Sequence, residues 1–193
     1  MSPESILAVV LPIFAFGIGA SIGSFLNVVI YRIPNGLSVN KPKRSFCPDC
    51  QRQIPIALNI PLLSWLVLRG KCKWCDVAIS PRYFVVELLT GVVFLAIWML
   101  KVPEVDALRD YEMLGEVFAL WLLTSLLLSA TFIDFDHFII PDSITIGGAV
   151  IGLGLSFVIP SLHNEAVWWK GGLQGVLGIV VGFTCLLYTS DAA

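Results

Sequence analysis

The sequence predicts an all-α polytopic membrane protein: about five transmembrane helices with a small cysteine-rich loop on one side of the membrane. Three observations point there. Of the 193 residues, 57% are apolar and only 13% are charged, far oilier than an ordinary soluble domain. The apolar residues gather in five runs, each close to the ~17–25 residues that a membrane helix needs. The few charges are sorted along the chain: nine of the twelve Lys/Arg fall between Arg32 and Arg82.

The first run extends from Ile6 to Ile30. The preceding "MSPES" has no basic residue and the run is long, which argues against a cleaved secretory signal. Gly19 and Gly23 form a G-x-x-x-G, a pattern that lets helices pack closely. Asn27, near the end of the run, is an amide that must find a partner inside a membrane protein. The second run, Tyr83 to Leu100, is broken only by Glu87. For that carboxylate, capping, pairing with the basic loop and ligand binding stand as open readings. Val117 to Ile133, Ser143 to Ile159 and Gly171 to Tyr188 complete the set. Cys185, alone in the last run, reads as a small core residue. A soluble helical bundle fits poorly, because its helices need polar faces that these runs lack.

Charge orients the runs. By the positive-inside rule the loop 32–82 faces the cytoplasm. The acidic loop with Glu104, Asp106, Asp110, Glu112 and Glu116 faces out. Alternation then returns the 134–142 turn to the cytoplasmic side and puts 160–170 outside. Topology accounts for the basic charge. No nucleic-acid partner is expected, since the basic residues are not interleaved with stacking aromatics.

The basic loop holds "CPDC" (Cys47, Cys50) and "CKWC" (Cys72, Cys75), with 21 residues between the pairs. Two such knuckles aim four thiolates at one point, the donor set of a structural zinc site. Two disulfides and free thiols are the alternatives, and a cytoplasmic loop disfavours disulfides. The set has neither a His nor an open position, so a structural rather than catalytic Zn²⁺ is expected. Between the knuckles, "NIPLLSWLVLRG" is too short to span and oily enough to lie at the bilayer interface or re-enter it.

The remaining signal is "TFIDFDHFIIPD", three carboxylates wedged between apolar runs. Asp142 follows Pro141 and opens a new run, the pattern of an N-cap. Asp136 reads as a solvated surface charge with His137 beside it. Asp134 continues the third helix after seventeen charge-free residues, and a membrane-embedded carboxylate is a functional candidate. Paired with a second carboxylate that keeps its proton, such an Asp can activate water. Asp136 cannot be that partner by helix geometry, as it lies about 200° around the axis.

"GSFLNVVIYRIP", the paired cysteine loop, "ISPRYFVVELLTG" and "IDFDHFIIPDSIT" occur in that order. Together they closely resemble the bacterial type IV prepilin peptidases, the prepilin leader peptidase/N-methyltransferases, from about residue 12 to about residue 183. The resemblance implies a bifunctional enzyme of the bacterial inner membrane. It cleaves the basic leader of prepilins and pseudopilins after a glycine, on the cytoplasmic side. It then methylates the new N-terminal residue with S-adenosylmethionine. The first family aspartate falls on Asp134, and the family cysteines fall on Cys47, Cys50, Cys72 and Cys75. Contacts to S-adenosylmethionine are not assignable from the resemblance, and no G-x-G-x-x-G loop is present.

The resemblance also organises the chain. Residues 1–100 form an N-terminal region with the first span, the loop 32–82 and the second span. Residues 101–187 form an incomplete aspartic peptidase domain. The family's second aspartate lies in a G-x-G-D motif that these 193 residues do not contain. "YTSDAA" (188–193) reads as a non-native tail, and the chain as an inactive fragment of the enzyme. A zinc-bearing membrane module that binds a partner without catalysis is the alternative.

Overall fold

A computed structural model of the chain describes residues 3–41, 45–47, 49–55 and 58–190. Lys43, Arg44 and Pro48 of the basic loop lie outside the described residues, as do residues 191–193 and the side chain of Cys185.

The apolar runs become helices because nothing in them interrupts the backbone ladder and no water competes for it in a bilayer. Helix α1 spans Pro3–Arg32, about 45 Å at 1.5 Å per residue. A single turn, α2, covers Leu63–Val67 inside the cysteine loop. Helix α3 runs Pro81–Lys101 and is started by Ser80, whose hydroxyl accepts the Arg82 N–H, with Pro81 at the first helical position. Helix α4 runs Tyr111–His137. The Asp110 carboxylate caps it, accepting the N–H groups of Glu112 and Met113 at 3.0 and 3.2 Å. Helix α5 is Asp142–Val158 and α6 is Trp168–Ser190. Among the described residues, α1, α3 and α4 are long and apolar enough to cross a membrane. Helix α5 has 17 residues, at the lower limit of spanning length.

Helices α1 and α3 make the closest contact, and small residues explain it. A Cβ on Gly19 would sit 2.8 Å from the Gly91 Cα, and one on Gly23 would sit 2.7 Å from the Glu87 Cα. The G-x-x-x-G read in the sequence is thus the seam on which α3 lies. Helix α4 joins through aromatics. The fully buried Phe94 stacks on Trp121 with ring centroids 4.7 Å apart, and the Trp121 indole N–H donates to the Phe94 carbonyl at 3.1 Å. Leu26, Ile30, Val86, Ile133 and Ile144 draw α1, α3, α4 and α5 into one core. Faces without a helical neighbour carry exposed apolar groups such as Phe14 and Val150, the surface that lipid solvates.

Two ion pairs mark the two ends of the bundle. Arg82, at the start of α3, pairs with Asp136, at the end of α4. Lys101, at the end of α3, pairs with Glu116, in the first turns of α4, at 2.7 Å. The two helices are therefore antiparallel. The cysteine loop and the 134–142 turn share one end, as alternation of the spans requires.

One reading of the turn is corrected and one is refined. Asp142 is not the N-cap of α5. Pro141 holds that position in extended conformation, so Asp142 is the first helical residue, where its charge faces the positive end of the helix dipole. Asp136 is an exposed charge, as read, and the Arg82 guanidinium reaches it from α3.

Candidate metal centre and membrane-end carboxylates

The two knuckles are built alike. In the first, the Cys47 N–H donates to the Arg52 carbonyl and the Gln51 N–H to the Cys47 carbonyl. In the second, the Cys72 N–H donates to the Val77 carbonyl and the Asp76 N–H to the Cys72 carbonyl. The residue after each second cysteine turns left-handed, Gln51 at φ 57° and Asp76 at φ 55°. Short antiparallel bridges, Phe46 with Gln53 and Lys71 with Ala78, close each turn. Gly70, at φ +66°, lets the chain enter the second knuckle beneath Trp65; a Cβ there would lie 2.9 Å from the indole.

These matched turns bring the four sulfurs together. All lie within 4.8 Å of one another, with Cys47 to Cys75 at 3.7 Å and Cys50 to Cys72 at 4.0 Å. The four cysteines are free, so the disulfide alternative does not hold here. Sulfurs bound at about 2.3 Å to one tetrahedral zinc ion stand about 3.8 Å apart, so the donor set fits that metal. The crowding divides the protons unequally. The Cys72 thiol is pulled down to about 7, chiefly by the Trp74 N–H and next by that of Cys75. The Val77 N–H pulls Cys75 the same way, but desolvation and the three neighbouring sulfurs outweigh it and push that thiol up to about 12. A divalent cation reverses this, since it favours all four thiolates.

The cysteine module is latched onto the membrane helices by polar contacts. Glu87, buried in the second turn of α3, accepts the Leu62 N–H at 2.7 Å. That bond holds Leu62 in a left-handed conformation, φ 63°, from which α2 starts. The Trp65 indole N–H donates to the Ile79 carbonyl at 3.3 Å. Asn27 of α1, 6% exposed, donates to the Tyr83 carbonyl of α3 at 3.0 Å. Asn27 has found a backbone partner at Tyr83, and Glu87 accepts from the Leu62 N–H and from the Ser24 hydroxyl of α1.

Asp134 sits in the last turn of α4, exposed, between Phe132 and Asp136. Its carbonyl accepts the Phe138 N–H at 2.8 Å, where Phe138, at φ 54°, ends the helix in a left-handed cap. The sequence did not disclose Arg82. Besides pairing with Asp136, its guanidinium donates to the Phe132 carbonyl at 3.2 Å and lies over the Phe132 ring. A lone Arg at the first turn of a span, opposite an acidic turn, was the available signal.

Comparison with known proteins accords with this arrangement. Residues 18–101 match the bacterial peptidase A24 N-terminal domain, and residues 121–192 match the type IV leader peptidase family. The chain is 45% identical over 145 residues to a prepilin leader peptidase/N-methyltransferase of Myxococcus xanthus, covering 75% of this chain and 40% of that protein. It is 40% identical over 194 residues to a type 4 prepilin-like proteins leader peptide-processing enzyme of Escherichia coli, covering 90% of this chain and 64% of that protein. A prepilin leader peptidase/N-methyltransferase of Neisseria gonorrhoeae is 38% identical over 210 residues, covering 96% of this chain and 67% of that protein. The chain thus spans between 40% and 67% of the length of these relatives. No solved structure matches. With an apolar helical bundle, a four-cysteine module and this degree of identity, the chain belongs to the type IV leader peptidase family.

Proposed function

We propose that this chain is part of an inner-membrane aspartic endopeptidase that removes the leader of type IV prepilins and pseudopilins after a glycine and then N-methylates the new N-terminus. One observation carries the peptidase reading. Asp134 stands at the end of an apolar helix inside the matched leader-peptidase segment, on a turn held by Arg82. The ionised Asp134 takes a proton from water as it attacks the scissile carbonyl, and a protonated carboxylate donates to the carbonyl oxygen or the leaving amine. That second acid is not assigned to a residue of this chain, so the 193 residues alone have little or no peptidase activity. The cysteine loop and Asp134 face the cytoplasm, where prepilin leaders are presented. Four thiolates hold a structural Zn²⁺, and S-adenosylmethionine supplies the methyl group.

The test is leader cleavage by the longest form of the gene product in detergent. Asp134→Asn is expected to lower the rate by about 10²–10⁴-fold, with zinc content and helicity unchanged. Undiminished cleavage by Asp134→Asn would remove Asp134 from the catalytic role, and no cleavage by the unmodified product would favour the alternative, a membrane module that binds a partner through its loop.

A further inference from the structure

A cavity of about 410 Å³ lies between the cysteine module and the ends of α1 and α3. Sites that enclose a whole small molecule run from about 300 to 1,000 Å³. Three features distinguish it from a packing void. Glu87 lines it with a carboxylate that is 9% exposed, and among the described residues no cation lies within ion-pair distance of that group. Ser64 also lines it, and the Ser64 hydroxyl oxygen is buried with no hydrogen-bond partner among the described residues. Trp65 and Trp74 add indole rings from the module, and Tyr31 adds a phenol from α1.

A carboxylate with no cation beside it among the described residues, an unanswered hydroxyl and aromatic walls call for a cationic ligand with polar groups and a flat ring. Aromatic faces attract cations and stack on heteroaromatic rings. An N-methyltransferase, the activity that the relatives are named for, needs a methyl donor of that chemistry. We propose that this cavity binds the methyl donor S-adenosylmethionine, with Glu87 facing its positive charge and Ser64 meeting one of its polar groups. The inference rests on the methyltransferase reading above and adds the place and the residues. Glu87 already accepts from the Leu62 N–H and the Ser24 hydroxyl, and a carboxylate has about four acceptor sites, so room for a ligand remains.

The test is direct binding to the 193-residue chain in detergent, by equilibrium dialysis of radiolabelled S-adenosylmethionine and of its neutral product, S-adenosylhomocysteine. Ultraviolet cross-linking of the labelled donor to the unmodified chain, with peptide mapping, gives a second readout. The unmodified chain is expected to prefer the cationic donor, and the label to map to peptides holding Trp65, Trp74 or Tyr31. Glu87→Gln keeps an oxygen for the Leu62 N–H but removes the charge. It is expected to weaken donor binding by about tenfold or more, the loss of one charged partner, and to leave the neutral product nearly unaffected. Ser64→Ala is expected to weaken both ligands by a few-fold. If the donor binds but cross-links elsewhere, or binds Glu87→Gln equally well, the site assignment falls and the methyltransferase reading stands. If the folded, unmodified chain binds no donor, both fall. Should Glu87→Gln misfold, the cross-link map on the unmodified chain decides.

Discussion

The guanidinium of Arg82 pairs with the carboxylate of Asp136 while donating to the Phe132 carbonyl at 3.2 Å. One side chain from α3 thus grips α4 on both sides of Asp134. Both paired side chains remain about 30% exposed, so screening keeps the stabilisation small, about 1 kcal/mol or less. The larger effect of Arg82→Ala is expected in local order. Amide exchange at residues 134–138 should speed up while the global unfolding midpoint barely moves. Arg82→Lys keeps the charge but not the two-pronged donor, and should fall between. Unchanged exchange in Arg82→Ala would remove the clamp from the account.

The four sulfurs predict one zinc per chain by elemental analysis. Cys47→Ser or Cys72→Ser should leave less than stoichiometric metal and a loosened loop 45–79. Zinc binding must expel thiol protons, most of all that of Cys75, held up near 12 without metal. The sign is therefore fixed: affinity falls as pH falls, by about one decade per pH unit for each proton displaced. Zinc added to the metal-free chain in weak buffer should acidify it. A pH-independent affinity would contradict thiolate ligation.

Gly23 has no room for a side chain against α3, whereas nothing lies within 4 Å of a Cβ on Gly17. Gly23→Val should therefore cost about 1–3 kcal/mol. Gly17→Ala should be neutral or slightly stabilising, as Ala is the better helix former. Denaturant titration in detergent, followed by circular dichroism, reads both. Equal effects at the two positions would mean that the seam is elsewhere.

Asn27 separates the donor from the charge at the α1–α3 contact. Asn27→Leu loses the bond to the Tyr83 carbonyl and should cost about 1 kcal/mol. Asn27→Asp should cost more, since a carboxylate cannot donate there and its charge is buried. The order of the two melting temperatures is the observable, and a more stable Asp variant would overturn the assignment.

Much of this was legible one segment at a time. Hydropathy located the helices, because lipid solvates every exposed face alike and leaves no periodicity to interpret. Gly19 and Gly23 announced the seam, and the cysteine spacing announced the sulfur cluster. The carboxylate turn disclosed Asp134 but not its neighbourhood. Arg82 and Asp136 are 54 residues apart, and Glu87 and Leu62 are 25 apart. No local pattern specifies such pairings. Asp142 was misread by one position because an N-cap preference cannot tell whether Pro or the Asp after it adopts the extended backbone. The cavity was invisible for the same reason as the latches that frame it.

The glycine seam and the Asn27 bond join α1 to α3 without help from any residue between Arg32 and Ser80. The cysteine module, by contrast, leans on Glu87 of α3. The dependence runs in one direction: the α1–α3 contact is complete without the cysteine module, whereas the module's seat on the bundle needs a carboxylate of α3.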